Sequence, residues 1–146
     1  MNIIQNAPAT LVFVLAAVDM GLTVVETVTG SVFPPAIEGR GYYEEIVNPG
    51  ETVLVTWELV KRTGCPGENH RVWVGENGFT MTESVGPTTL PMTEDFVTYS
   101  IPTQIPDQAP EGLLELTVVG YYQCIGSPRS NFELGPVEFT VEEPEQ

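Results

Sequence analysis

The two cysteines and the single histidine are the residues of this sequence with the most restrictive chemistry. Cys65 lies in RTGCPGENHR and Cys124 lies in YYQCIGSPRSN. They could form a disulfide, remain two buried thiols, or join His70 in a metal site. Structural zinc is usually held by four ligands, which these three do not supply, and the CxxC spacing of a redox pair is absent. We therefore favour a disulfide, which implies an oxidising compartment.

The basic residues gather around the two cysteines. The chain carries 5 Lys and Arg against 20 Asp and Glu, a formal net charge of −15. Arginine binds carboxylates with two parallel hydrogen bonds, so these segments are a candidate loop binding surface for a protein or glycan. We favour the alternative, in which the charges offset nearby glutamates or hydrogen-bond within the loops. The predicted loop binding surface comprises Lys61, Arg62, Asn69, His70, Arg71, Ser127, Arg129 and Asn131.

No constellation typical of an enzyme is present in the sequence. His70 has no Ser or Cys nearby as a nucleophile, and no Gly-rich phosphate loop precedes a helix. Adjacent acids such as Glu44 and Glu45 point to opposite faces of a strand, although a pair of distant carboxylates, as in glycosidases, stays open. We predict a non-enzymatic protein without catalytic residues, cofactor or metal. The acidic balance also predicts no nucleic-acid partner.

Short strands are the elements that would position these loops. Thirteen prolines, fourteen glycines and many Val and Thr are typical of strands joined by tight turns. ENG is an Asn–Gly turn between RVWV and FTMT, whereas FELGP is expected to break the chain. About seven strands over residues 42–142 predict an antiparallel immunoglobulin-like β-sandwich. The alternating positions expected to face its core are Val53, Val55, Trp57, Leu59, Leu114, Leu116, Val118, Tyr122, Val137, Phe139 and Val141.

The predicted topology brings the two cysteines to one end of the sandwich. ETVLVTWELV, RVWVG, LLELTVVGYYQC and VEFTV take the roles of strands B, C, F and G, and the B–C and F–G loops of such a fold emerge together. A Cys65–Cys124 bond would then link two loops rather than cross the core. Closing a loop of this length contributes about 4 kcal/mol on the chain-entropy model.

Residues 10–28, TLVFVLAAVDMGLTVVETV, form an almost continuous apolar run. A helix of about 20 residues spans a bilayer, and Asp19, Thr23 and Glu26 would then share one stripe that should contact a partner rather than lipid. These three residues are the predicted helix interface. A strand hairpin around DMG, or a helix inside a protein assembly, is the alternative. The positive n-region of a signal peptide is missing.

The chain thus divides into a lead (1–9), a hydrophobic helix (10–28), a linker (29–41), the sandwich (42–142) and a tail (143–146). We predict protein partners at the helix and at the loop binding surface, and a membrane contact through residues 10–28. A homo-oligomer is a further hypothesis. The expected location is a membrane with the β-domain on the extracytoplasmic side, or the surface of a virion.

Three phrases carry a resemblance to known proteins. IPDQAPEGLLELTVVGYY resembles the E–F turn and F strand of extracytoplasmic immunoglobulin-like domains. KRTGCPGENHRVWVGENGF and GYYQCIGSPRSNFELGPV resemble small phage-encoded proteins with a hydrophobic N-terminal segment and one immunoglobulin-like domain. The resemblance implies a structural virion component and transfers no site residue. The alternatives are a bitopic membrane adhesion or ligand-binding protein, and a subunit of a membrane complex assembled through its acidic-striped helix.

Overall fold

The computed structural model describes residues 35–87 and 89–144. The predicted helix over residues 10–28 and its interface of Asp19, Thr23 and Glu26 lie outside these ranges. Across the two described ranges, no helix has the length and apolar character needed to cross a membrane.

In the described part of the chain, eight strands form two sheets around one core. The first sheet has the order β1-β3-β6 and the second has the order β2-β8-β7-β4-β5. All neighbours are antiparallel except β2 and β8. A mainly β fold with two sheets was predicted and is confirmed. The strands are β1 (Ile37–Tyr42), β2 (Ile46–Val47), β3 (Thr52–Lys61), β4 (Gly67–Gly75), β5 (Thr80–Gly86), β6 (Val97–Gln104), β7 (Gly112–Tyr122) and β8 (Ser130–Val141).

Alternating side chains of β3, β7 and β8 fill the space between the sheets, as predicted. Val55, Leu114 and Phe139 are almost completely buried, because every second residue of a strand points to the same face. Trp73 of β4 lies at the centre, 0% exposed, and its ring is 5.8 Å from that of Phe139. The indole nitrogen of Trp73 donates to the Glu83 carboxylate on β5 at 2.9 Å. The one polar atom of this side chain is therefore paired.

The predicted hairpin around ENG joins β4 to β5. Asn77 has φ 57° and Gly78 has φ 76°, both in the left-handed region. Asn and Gly are the residues that adopt this conformation most readily, and two such residues match the twist of a tight hairpin. The hairpin is confirmed and fixes how β4 and β5 pair.

Two segments form strands where the sequence suggested interruptions. β1 begins at Ile37, inside the predicted linker, and Gly41 pairs with Trp57 across β1 and β3. A Cβ atom at Gly41 would lie 2.6 Å from ring carbons of Trp57. The absence of a side chain at this position therefore allows the Trp57 ring to pack against β1. The FELGP segment does not break the chain, because β8 continues through the cis Gly135–Pro136 bond with a shift of register against β7.

Candidate functional site

A disulfide joins Cys65 to Cys124, with 5.1 Å between their Cα atoms. Cys65 follows β3 and Cys124 follows β7, so the bond links the two loops at one end of the sandwich, as predicted. The same loops are held by backbone contacts, since the amide of Gln123 donates to the carbonyl of Pro66 at 3.0 Å. The Thr63 hydroxyl accepts from the amide of Cys65 at 3.0 Å. We call residues 63–68 and 123–131 the disulfide end.

The most exposed apolar side chain of the disulfide end is Ile125, which is fully exposed. It sits in a tight turn in which the amide of Ser127 donates to the carbonyl of Cys124 at 3.1 Å, and Gly126 has φ 79°. A shallow groove of about 590 Å³ lies beside it, between residues 66–68 and 121–127. A single exposed apolar side chain is common on protein surfaces, so Ile125 becomes a candidate contact only together with the adjoining groove.

Arg129 borders the same end and stacks on an aromatic ring. Its guanidinium carbon lies 3.8 Å from the centre of the Tyr121 ring, a distance typical of a cation–π contact. Tyr121 pairs with Glu68 on β4 and with Asn131 on β8. The structure therefore brings Arg129 and Asn131, two residues of the predicted surface, to one patch on the outer side of β7.

Two other residues of the predicted surface make contacts within the domain. Lys61 is 8% exposed, and its Nζ donates to the carbonyl of Leu90 at 2.9 Å. Arg62 donates from Nη1 to Glu38 at 2.8 Å and to the carbonyl of Pro35 at 3.0 Å. These contacts correspond to the alternative reading, in which the charges are structural. Lys61 is not part of an exposed binding surface, because it is buried.

The remaining predicted residues on β4 are divided between the two faces of the second sheet. His70 faces outward, with Nε2 3.9 Å from the Glu68 carboxylate. Asn69 and Arg71 share the inward side with Trp73 and line a cavity between the sheets. The sequence suggested a loop here, whereas β4 already starts at Gly67. The expected single surface is therefore separated into an outer patch and an interior pair.

Sequence reasoning missed Ile125 and Tyr121 as members of the outer patch. The available signal was CIGSPR, in which a bulky apolar residue stands among Gly, Ser and Pro directly after a cysteine. Such turn residues hold the chain at the surface, so an apolar side chain there is exposed. The aromatic partner of Arg129 could not be identified, because it lies on the preceding strand.

Among residues 35–87 and 89–144, no group of three or more His, Cys, Asp or Glu side chains is placed to hold a metal ion. The sequence matches no protein-family model, and no curated protein is significantly similar to it. A function must therefore be inferred from the geometry of the disulfide end.

Proposed function

We propose that this chain is a non-enzymatic structural and interaction protein that presents an immunoglobulin-like domain in an oxidising compartment. The strand orders of the two sheets support this assignment, with β1-β3-β6 taken as strands A-B-E and β2-β8-β7-β4-β5 taken as A′-G-F-C-C′. The buried Trp73 on β4 occupies the strand-C position where such domains carry a core tryptophan. The disulfide departs from that pattern, because Cys65 and Cys124 join loops at the end of the sandwich.

The observation that carries the proposal is the fixed geometry of the disulfide end. Ile125 stands fully exposed beside a groove, and Arg129 is held on the Tyr121 ring. The disulfide and the Gln123–Pro66 hydrogen bond limit the movement of both loops. Rigid loops lose less conformational entropy when they bind, and aromatic residues and arginine are enriched among residues that dominate binding energy.

The partner class that fits this patch is another protein with an acidic or amide-rich surface next to an apolar pocket. Ile125 would fill the pocket, and the outer edge of the Arg129 guanidinium would pair with a carboxylate or carbonyl. A protein with a net charge of −15 repels most acidic partners over long distances. Arg129 would therefore set the orientation of the complex more than its overall attraction.

Photo-crosslinking from position 125 of the full-length chain tests this function. The crosslinked protein is identified, purified, and titrated against the wild type, Ile125→Ser and Arg129→Ala. Each variant is expected to weaken binding at least fivefold, about 1 kcal/mol. Thr140→Ala is the control, because Thr140 is exposed and lies at the opposite end of β8 from the disulfide end. Equal affinities for all four proteins would exclude the disulfide end as the binding surface.

We further propose that residues 10–28 anchor the domain to a membrane or to a virion, which would place it in the oxidising environment that the disulfide favours. The phage-like phrases support the virion, where the domain would decorate the surface. Recovery of the chain in constant stoichiometry with a purified particle distinguishes this location from a bitopic membrane protein. A chain found only as a soluble monomer would contradict both.

A further inference from the structure

A cavity of about 160 Å³ lies between the two sheets. Its deep wall consists of side chains that are almost completely buried, among them Trp57, Leu59, Leu116 and Leu134. Protein interiors rarely leave a space larger than a water molecule. An apolar cavity of about 150 Å³ is large enough to hold a benzene-sized molecule. This space therefore has the size of a small binding site.

The cavity opens at the edge of the second sheet, beside β5. Asn69 of β4 pairs with Gly86 and His70 pairs with Ser84, so Val85 is an extra residue, a β-bulge. Val85 lines the cavity and is 41% exposed, and Leu90 of the following loop lines it as well. Bulges redirect a side chain and commonly occur next to functional sites. Val85 is therefore an exposed part of the cavity lining at the edge of the second sheet.

Arg71 lines this cavity and has no internal partner among the described residues. Its inward direction follows from its place two residues before the buried Trp73. It makes no hydrogen bond or ion pair with the described part of the chain. The acid opposite it on β5, Glu83, instead accepts a hydrogen bond from the Trp73 indole. A guanidinium in a half-buried site without a counter-charge is well suited to a carboxylate.

Asn69 supplies a second polar group in the same cavity. Its Oδ1 atom is buried and accepts no hydrogen bond from the described residues. Buried acceptors in folded proteins are nearly always satisfied, so this oxygen is suited to accept a hydrogen bond from a bound molecule. Asn69 and Arg71 are two positions apart on one face of β4, which separates their Cα atoms by about 7 Å.

We propose that this cavity binds a compact apolar carboxylic acid that also carries a hydroxyl group. The apolar body occupies the space against Trp57 and Leu116, the carboxylate pairs with Arg71, and the hydroxyl donates to Asn69. Small-molecule sites typically combine an apolar lining with a few polar groups that set the orientation. This site is independent of the disulfide end and of its partner.

Three aromatic probes test the proposal on the full-length, disulfide-bonded chain: benzoate, 4-hydroxybenzoate and benzyl alcohol. Binding is followed by calorimetry and by the fluorescence of Trp57 and Trp73, the only tryptophans in the sequence. We expect 4-hydroxybenzoate to bind most tightly and benzyl alcohol at least about tenfold more weakly than benzoate, because it lacks the charge for Arg71. Equal binding of benzoate and benzyl alcohol would refute the role of Arg71.

Variants separate the two polar contacts. Arg71→Met keeps an apolar chain of similar length and is expected to weaken both carboxylates about tenfold without affecting benzyl alcohol. Asn69→Ala is expected to remove the advantage of 4-hydroxybenzoate over benzoate. Arg40→Met is the matched control, because Arg40 is 76% exposed, pairs with Glu58 and does not line the cavity, and it should leave all three affinities unchanged.

Two outcomes contradict the proposal directly. Absence of binding for every probe up to about 10 mM would mean that the cavity holds water only. An Arg71→Met protein that is folded and binds benzoate as well as the wild type would also exclude it. Where Arg71→Met fails to fold, Arg71→Lys is used instead, because it retains the charge without the paired donors. Its affinity for benzoate should lie between the affinities of the wild type for benzoate and for benzyl alcohol.

Discussion

The four basic residues near the cysteines make different contacts, and these contacts determine whether each side chain is available to a partner. Lys61 is buried and donates to a backbone carbonyl, whereas Arg129 is exposed and stacks on Tyr121. Arg71 faces the cavity between the sheets. Their proximity in the sequence suggested one positive surface, but each side chain follows the direction that its own strand or loop imposes.

At this scale, replacing Lys61 by Met should destabilise the domain by about 1–3 kcal/mol. The apolar stem is retained, but the hydrogen bond from the Lys61 Nζ to the carbonyl of Leu90 at 2.9 Å is lost, together with the contact of Nζ with the Tyr122 ring, whose centre is 5.6 Å away. A hydrogen bond that involves a charged group typically contributes about 1.5–3 kcal/mol. Urea unfolding measures the change. Amide exchange at Thr93, which donates to the Lys61 carbonyl at 3.0 Å, should also become faster.

Arg40→Met is the matched control for that prediction. Arg40 pairs with Glu58 at 3.0 Å, but its side chain is 76% exposed, and exposed ion pairs contribute little to stability. We expect a change below about 0.5 kcal/mol. If both variants unfold at the same urea concentration as the wild type, the buried contact of Lys61 has no energetic role.

At the scale of elements, the sequence was informative wherever apolar residues alternate without interruption. The core positions of β3 and β7 and the Asn77–Gly78 hairpin were predicted correctly, since alternation and turn chemistry are local signals. The start of β4 was missed because GENHR is polar throughout, although Asn69 and Arg71 face inward. In β8, the spacing from Leu134 to Val137 breaks the alternation, and a register shift against β7 restores it.

The β4–β5 hairpin offers a clean test of backbone conformation. Gly78 has φ +76°, and a Cβ atom there would meet nothing within 4 Å, so any cost of Gly78→Ala comes from the backbone alone. We expect a loss of about 1 kcal/mol in the free energy of unfolding. Gly78→Asn should cost less, because Asn tolerates the left-handed region. Equal losses for Ala and Asn would show that conformation is not the cause.

The disulfide between the loops after β3 and β7 should contribute more to the free energy of unfolding than any single side chain. The cysteines are 59 residues apart, and loss of the cross-link releases about 4 kcal/mol of unfolded-chain entropy. Cys65→Ser with Cys124→Ser should lower the free energy of unfolding by about that amount in urea. The wild type under reducing conditions should behave similarly. A double variant as stable as the oxidised wild type would mean that the disulfide does not stabilise the fold.

For the whole molecule, the excess of acidic residues also brings like charges together on the surface of the fold. Glu115 of β7 lies directly opposite Glu138 of β8 on the outer face of the second sheet, and like charges in such a pair are destabilising. Only 5 basic residues are available against 20 acids, and Lys61 and Arg62 are used in local contacts. Repulsion on this face is therefore balanced mainly by dissolved cations.

We accordingly expect salt to stabilise the domain and a single charge reversal to replace part of that effect. Glu138→Lys converts the repulsive pair into an attractive one and should raise stability by about 0.5–1 kcal/mol at low ionic strength. The screening length falls from about 30 Å at 0.01 M to about 3 Å at 1 M salt, so the melting temperature of the wild type should rise over this range and approach that of the variant. Glu94→Lys, which makes the same change of net charge in the exposed loop before β6 rather than on β7 or β8, is the control for net charge alone. A difference between Glu138→Lys and the wild type that stays constant from low to high salt would mean that packing at this position, rather than charge repulsion across β7 and β8, determines the change.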